Sequence, residues 1–109
     1  MSRIVSCEEF ERVLTQKLNS LKHSVKCVTG PGRSGAIAAV YTSYILGVPF
    51  IPYGTNIPDK LTPILIVDTA RKSGKTLRKA EVKYEDYKPV TLWCYDEPPR
   101  VHFWYEMIS

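Results

Sequence analysis

The sequence is poor in the residues that mark several classes of protein. Its 109 residues include only 3 cysteines, with no Cys-x-x-Cys pair, and 2 histidines, which argues against a disulfide framework or a structural zinc site. No apolar run approaches the roughly 18 residues of a membrane span, and the first residues lack the apolar stretch of a signal peptide. Hydrophobic residues make up 44% and charged residues 24%, which excludes a disordered chain or a coiled coil. We therefore expect a single soluble domain over residues 1–109, cytoplasmic and without a membrane partner.

Acidic residues are absent between Glu11 and Asp59. Residues 12–80 contain 11 lysines and arginines against 2 aspartates, while both flanks are net acidic and the whole chain carries +4. A basic middle favours an anionic ligand, either a phosphorylated small molecule or a nucleic-acid backbone. The alternative is a solvated basic face that binds nothing.

The pattern of apolar residues predicts alternating helices and strands. A capping box at Ser6 opens the first helix, and Gly47 closes the second. The predicted helices span residues 7–21, 36–46 and 75–84. The predicted strands span residues 24–29, 48–52, 63–68 and 90–95. We predict an α/β, Rossmann-like fold with a mainly parallel sheet of four to five strands flanked by helices.

Two segments that follow predicted strands have the composition of anion-binding loops. The first loop, residues 29–35, combines three glycines with Arg33 before a helix, so that the backbone can approach a ligand closely. The second loop, residues 68–76, places a carboxylate at the strand end and a Ser-Gly-Lys-Thr turn before the basic helix. A P-loop is excluded because Thr69 stands where that motif needs glycine. The three glycines of the first loop match the Gly-x-Gly-x-x-Gly pattern of a dinucleotide site. That site also needs an acidic residue about 20 residues later, and none is present there.

Together the two loops resemble the type I phosphoribosyltransferases. Residues 64–77 (ILIVDTARKSGKTL) look like the family's motif for phosphoribosyl pyrophosphate (PRPP), an apolar strand with acids before a hydroxyl-rich turn. Residues 28–36 look like its pyrophosphate loop, followed in the family's order by an alanine-rich helix and the next strand. The resemblance covers about residues 24–95 and is strongest to small purine-type members. It implies transfer of phosphoribose from PRPP to a purine-like base, with release of pyrophosphate, or binding of a nucleoside monophosphate.

The resemblance also implies a role for each residue that matches the motifs. The 5′-phosphate of PRPP would be bound by Lys72, Ser73, Gly74, Lys75 and Thr76. The pyrophosphate would be contacted by Gly32, Arg33 and Ser34. Asp68 and Thr69 would bind the ribose. Asp68 would also hold Mg²⁺, directly or through water. The catalytic residues would be Asp68 and Arg33. Phe103 or Trp104, in the aromatic run that ends at Tyr105, would stack on the base within a reduced hood.

Two residues and one segment depart from the family's pattern and leave a second hypothesis open. Thr69 replaces the second acid, Lys72 stands where purine-using members have an aspartate base, and the segment from Phe50 to Leu61 is short for a lid. These departures favour a catalytically inactive protein that binds PRPP or a nucleotide as a regulator or interaction module. Nucleic-acid binding ranks last, since the basic helix lacks interleaved aromatic residues. The resemblance also implies a homodimer.

Overall fold

The computed structural model describes residues 3–107 as five strands and three helices. The strands are β1 (Arg3–Val5), β2 (Cys27–Thr29), β3 (Ile64–Arg71), β4 (Val90–Asp96) and β5 (Val101–Phe103). The helices are α1 (Cys7–Leu18), α2 (Gly32–Leu46) and α3 (Lys75–Lys83). Short 3₁₀ turns occupy Asn19–Leu21, Asp59–Leu61, Glu85–Tyr87 and Trp104–Met107. None of the helices within residues 3–107 is long and apolar enough to cross a membrane.

All strand pairs are parallel. The main sheet has the order β2-β3-β4, with Thr29 opposite Ile66 and Asp68 opposite Trp93. A single parallel bridge joins Phe50 to β2, and a separate small sheet pairs β1 with β5. The predicted α/β class with a parallel sheet flanked by helices is confirmed.

The central strand β3 is buried on both faces, as its continuous apolar run predicts. Leu65 and Val67 pack into a core shared with α1 and α2, whereas Ile64 and Ile66 pack into a second core shared with α3. All four side chains have no exposed surface. Because side chains alternate along a strand, the next residue in the α3-facing row is Asp68.

Several boundaries differ from the predicted ones for identifiable reasons. Helix α2 begins at Gly32, four residues before the predicted start, because Pro31 acts as its N-cap and the small residues that follow fit a helical turn. Strand β3 continues three residues beyond Asp68, because β4 offers partners as far as Asp96. The predicted strand over residues 48–52 is reduced to one bridge. Strand β1 was not predicted, since its pairing partner lies at the far end of the chain.

The segment between Phe50 and Leu61, expected to correspond to the family's flexible loop, is packed against the C-terminal end of α3. The Gly54 N–H donates to the Tyr84 hydroxyl at 2.7 Å, and the Tyr53 ring lies 5.7 Å from the Tyr84 ring. Ile57 is buried in the α3-side core. In this structure the segment covers the sheet beside α3 and is not an open lid.

Candidate functional site

The carboxyl end of β3 carries a cavity of about 170 Å³, which we call the β3–α3 cavity. Residues 70–77 wrap around it, and Asp68 and Glu97 also line it. All five residues predicted to bind the 5′-phosphate, residues 72–76, therefore lie around one space. Parallel α/β sheets bind ligands at this edge, where strand ends and helix N-termini converge.

The turn that opens α3 presents backbone donors to this cavity. Gly74 is the N-cap and has a φ of +81°, which favours glycine, and it has no side chain to accept the N–H groups of the first helical turn. The Ser73 hydroxyl accepts a hydrogen bond from the Lys75 N–H at 3.3 Å. The Arg78 guanidinium donates to the Ser73 carbonyl at 3.2 Å and holds the turn in place. Uncapped N–H groups at a helix start favour an anion, and Arg78 is a supporting residue that the motif did not indicate.

Asp68 faces α3 and is half-buried in this cavity. One of its carboxylate oxygens accepts the Thr69 N–H at 2.8 Å. Burial raises the pKa of Asp68 from 3.8 to about 6, although hydrogen bonds from Thr69 act in the opposite direction. The carboxylate is therefore ionised at neutral pH and poorly solvated, a state in which it can accept a ligand hydroxyl or a cation.

The structure does not bring Thr69 into the β3–α3 cavity. Its position along β3 continues the row of Leu65 and Val67, which faces α1 and α2, and only 3% of its surface is exposed. The two residues predicted to bind the ribose thus lie on opposite faces of the sheet, and Asp68 alone reaches the space beside α3.

Glu97 is a cavity residue that sequence reasoning missed. Its N–H donates to the Arg71 carbonyl at 2.8 Å, and its carboxylate accepts the Val101 N–H at 2.8 Å. Arg71 in turn lies 3.9 Å over the Trp93 ring and 3.5 Å from the Asp96 carboxylate. The position of Glu97 follows from the parallel pairing of β3 with β4, because that pairing places the residues after β4 beside the carboxyl end of β3.

The first loop is packed tightly against β3 at Gly30, and Gly30 and Gly35 are in close contact within the loop. A Cβ atom at Gly30 would lie 2.0 Å from the Gly35 carbonyl oxygen and 2.7 Å from that of Val67. No larger residue fits there, and this close approach brings the N-terminus of α2 beside the end of β3. Arg33 is exposed, and it lines a second cavity of about 520 Å³ together with Ser34.

Tyr105 connects the two loops. Its hydroxyl donates to the Ser34 hydroxyl at 2.9 Å, and its ring stacks on Phe103 with ring centroids 5.5 Å apart. Burial raises the pKa of Tyr105, and hydrogen bonds with Ser34 and Thr69 partly offset that increase. The C-terminal turn thus joins the start of α2 to the end of β3.

The two aromatic residues predicted to stack on a base lie in an aromatic cluster. Phe103 is 3% exposed and packs edge-on against Phe10 and Tyr95. Trp104 is half-buried, with its ring 5.6 Å from that of Phe10. The ring of Phe103 is therefore not open to a base in this structure. The predicted reduction of the hood is confirmed, since the described chain adds only β5 and one turn after β4.

The lining of the β3–α3 cavity includes two acidic residues, of the kind that holds a magnesium ion together with a phosphate ligand. Within residues 3–107 no three cysteine, histidine, aspartate or glutamate side chains converge on one point. Mg²⁺ is commonly held by one or two carboxylates plus substrate phosphates and water, and Asp68 and Glu97 supply carboxylates of that kind.

By sequence, the chain matches no protein-family model and no curated protein. By structure, it is similar to the xanthine-guanine-hypoxanthine phosphoribosyltransferase of Helicobacter pylori, with a TM-score of 0.79, 18% identity, and coverage of 98% of this chain and 95% of that one. The purine phosphoribosyltransferase of Pyrococcus horikoshii gives a TM-score of 0.75 and 22% identity, with coverage of 99% of this chain and 95% of that one. A hypothetical protein from Neisseria gonorrhoeae with bound ppGpp gives a TM-score of 0.69 and 12% identity, with coverage of 100% of this chain and 92% of that one. The chain has the fold of the type I phosphoribosyltransferases.

Proposed function

We propose that the chain binds PRPP, or a nucleoside monophosphate, in the β3–α3 cavity and transfers phosphoribose to a purine-like base with release of pyrophosphate. The observation that carries the proposal is the convergence of residues 72–76 and Asp68 on one cavity at the start of α3. The uncapped N–H groups of α3, with the hydroxyls of Ser73 and Thr76, would bind the 5′-phosphate.

The remaining parts of PRPP would be held by residues on either side of the end of β3. The ionised Asp68 would accept a hydrogen bond from a ribose hydroxyl and stabilise positive charge that develops on the ribose ring. Arg33 and Ser34, in the second cavity, would bind the pyrophosphate and stabilise its charge as the C–O bond to the anomeric carbon breaks and a C–N bond to the base forms. Asp68 and Glu97 would hold Mg²⁺, which when bound neutralises phosphate charge. We place this reaction in the cytoplasm, because the three cysteines do not have the pattern of a disulfide framework.

A second candidate function is nucleotide binding without catalysis. Two observations favour it: the Phe103 ring is enclosed by other rings, and the segment from Phe50 to Leu61 is packed against α3. Both reduce the means of holding a base and excluding water. Because the Neisseria gonorrhoeae neighbour contains bound ppGpp, that nucleotide is the first ligand to test for this alternative.

Titration calorimetry with PRPP and Mg²⁺ tests the cavity. We expect Thr76→Ala to weaken PRPP binding by about 10- to 150-fold, since a hydrogen bond to a charged group contributes roughly 1.5–3 kcal/mol. The matched control is Lys79→Ala, which changes an exposed residue of the same helix outside the β3–α3 cavity, and it should change affinity less than threefold. If neither PRPP, ppGpp nor a nucleoside monophosphate binds the unmodified chain, both candidate functions are wrong.

Pyrophosphate release then separates the two candidates. The chain is incubated with PRPP, Mg²⁺ and, in turn, hypoxanthine, guanine, xanthine and adenine. Release that depends on one of these bases and is lost in Asp68→Ala supports the transferase. Tight PRPP or ppGpp binding without release for any base supports the binding protein.

A further inference from the structure

The outer face of α3 carries a groove that the proposed function does not use, which we call the outer α3 groove. It has a volume of about 470 Å³ and is lined by Lys75, Arg78, Lys79 and Val82. These positions are spaced i, i+3, i+4 and i+7, so they form one stripe along the helix. Lys75 also lines the β3–α3 cavity, and the two spaces are therefore adjacent at this residue.

The groove is cationic, and its lining includes no acidic residue. Helix α3 contains four lysines and arginines against the single acidic residue Glu81, and its first turn has no acidic residue. Within residues 3–107, the ion pairs involve Arg3, Arg71 and Arg100, and none of the cations of α3. Cations near a helix N-terminus are unfavourable next to the helix dipole. The free chain thus concentrates positive charge at the start of α3, and a ligand anion there would relieve this repulsion.

Arg78 connects the groove to the turn that opens α3. Its guanidinium donates to the Ser73 carbonyl at 3.2 Å, and a Cβ atom at Gly74 would lie 3.0 Å from its Nη1 atom. A guanidinium has five N–H donors, so Arg78 retains donors for a ligand beyond this contact. Lys79 follows Lys75 by one helical turn, a rise of about 6 Å, and adds a second cation beside Arg78.

We propose that the outer α3 groove binds a second phosphate group attached to the 5′-phosphate, so that the site also takes a nucleoside 5′-diphosphate. This inference rests on the proposed function, which assigns the 5′-phosphate to residues 72–76. The first phosphate of the diphosphate binds this turn, and the second binds Arg78 and Lys79. PRPP carries a single phosphate at its 5′ position and leaves the groove empty. A nucleoside 5′-diphosphate therefore competes with PRPP and regulates the same site.

Titration calorimetry with GMP and GDP tests the groove. At low ionic strength, with Mg²⁺ held constant, GDP should bind the unmodified chain about tenfold more tightly than GMP, because two exposed charge pairs together contribute about that factor. The difference should fall below about threefold in about 0.5 M NaCl, since salt screens exposed charges. GDP should also displace PRPP competitively, because both ligands occupy the β3–α3 cavity.

Lys79→Ala separates the groove from the cavity. It should reduce the affinity ratio of GDP to GMP from about ten to about three, and it should change the affinity for GMP less than threefold, since Lys79 lines the groove and not the β3–α3 cavity. The matched control is Lys83→Ala, which removes an exposed cation one turn further along α3 and outside the groove. This control should keep the ratio near ten.

The outcomes distinguish this inference from the proposed function. Equal affinities for GDP and GMP, or an equal fall of the ratio in Lys79→Ala and Lys83→Ala, would overturn the inference, while binding of GMP and PRPP would leave the proposed function intact. Simultaneous binding of GDP and PRPP would also overturn the inference, because the two ligands would then occupy separate sites. If neither GMP nor PRPP binds, the proposed function is wrong, and the inference is wrong with it.

Discussion

Replacing Asp68 with asparagine should stabilise the fold while weakening ligand binding. Burial raises the pKa of this carboxyl from 3.8 to about 6, so the folded chain holds the proton more tightly than the unfolded chain does. Between pH 4 and 6 the folded state binds more protons, and stability therefore falls as the pH rises through that interval. Below pH 4 the carboxyl is protonated in both states, and asparagine resembles it closely.

The size of the stability change follows from the raised pKa of Asp68. A rise of about two pKa units corresponds to roughly 3 kcal/mol as a ceiling, and partial solvent access to the side chain reduces this to about 1–2 kcal/mol. Asparagine keeps an oxygen that can accept the Thr69 N–H, so no hydrogen bond need be lost. We expect Asp68→Asn to raise the free energy of unfolding by about 1–2 kcal/mol at pH 7.5, and the Tm by about 5–10 °C. Near pH 4 the change should be close to zero.

Urea unfolding at pH 4, 5, 6 and 7.5 measures this dependence, and calorimetry on the same samples measures PRPP binding. Asp86→Asn is the control, since Asp86 is an exposed carboxylate in a 3₁₀ turn, and its effect should stay within about 0.5 kcal/mol at every pH. A destabilised Asp68→Asn at pH 7.5, or an equal effect at pH 4 and 7.5, would refute the desolvation argument. Greater stability combined with weaker PRPP binding would mark Asp68 as a residue kept for function.

Two further substitutions test the packing and the connection of the first loop. Gly30→Ala should abolish cooperative thermal unfolding or lower the Tm by more than 15 °C, because the new methyl group would overlap the carbonyl oxygens of Gly35 and Val67. A Tm within 3 °C of that of the unmodified chain would contradict the close approach. Tyr105→Phe should weaken PRPP binding about fivefold through the lost hydrogen bond to Ser34, yet leave ribose 5-phosphate binding unchanged, since that ligand lacks the pyrophosphate. Calorimetry with both ligands checks this, and an equal loss for the two would show that Tyr105 does not act through the first loop.

Local patterns were sufficient for the three helices, for β2, β3 and β4, and for the two loops, but not for β1. The apolar run of β3 predicts burial on both faces, because only a strand with helices on either side has no solvent-facing row. The capping serine and the four-residue spacing of Phe10, Leu14 and Leu18 predict α1, whose N-cap Ser6 accepts the Glu9 N–H at 3.1 Å. Glycine, hydroxyl and cationic residues before α3 predict an anion site, because the backbone geometry of that turn depends on adjacent residues alone.

The tertiary structure decided which side chains share a cavity. Glu97 reaches the β3–α3 cavity because β4 pairs in parallel with β3, and Tyr105 reaches Ser34 because the C-terminal turn folds back onto α2. Thr69 is next to Asp68 in the chain, yet the pleat of β3 directs it to the opposite face. The sequence alone therefore determined the turn that follows β3 and opens α3, where we propose the anion site, because the chemistry of that turn is local. The approach of Glu97 to this turn and the link to the first loop depend on pairing between distant segments, which no local pattern encodes.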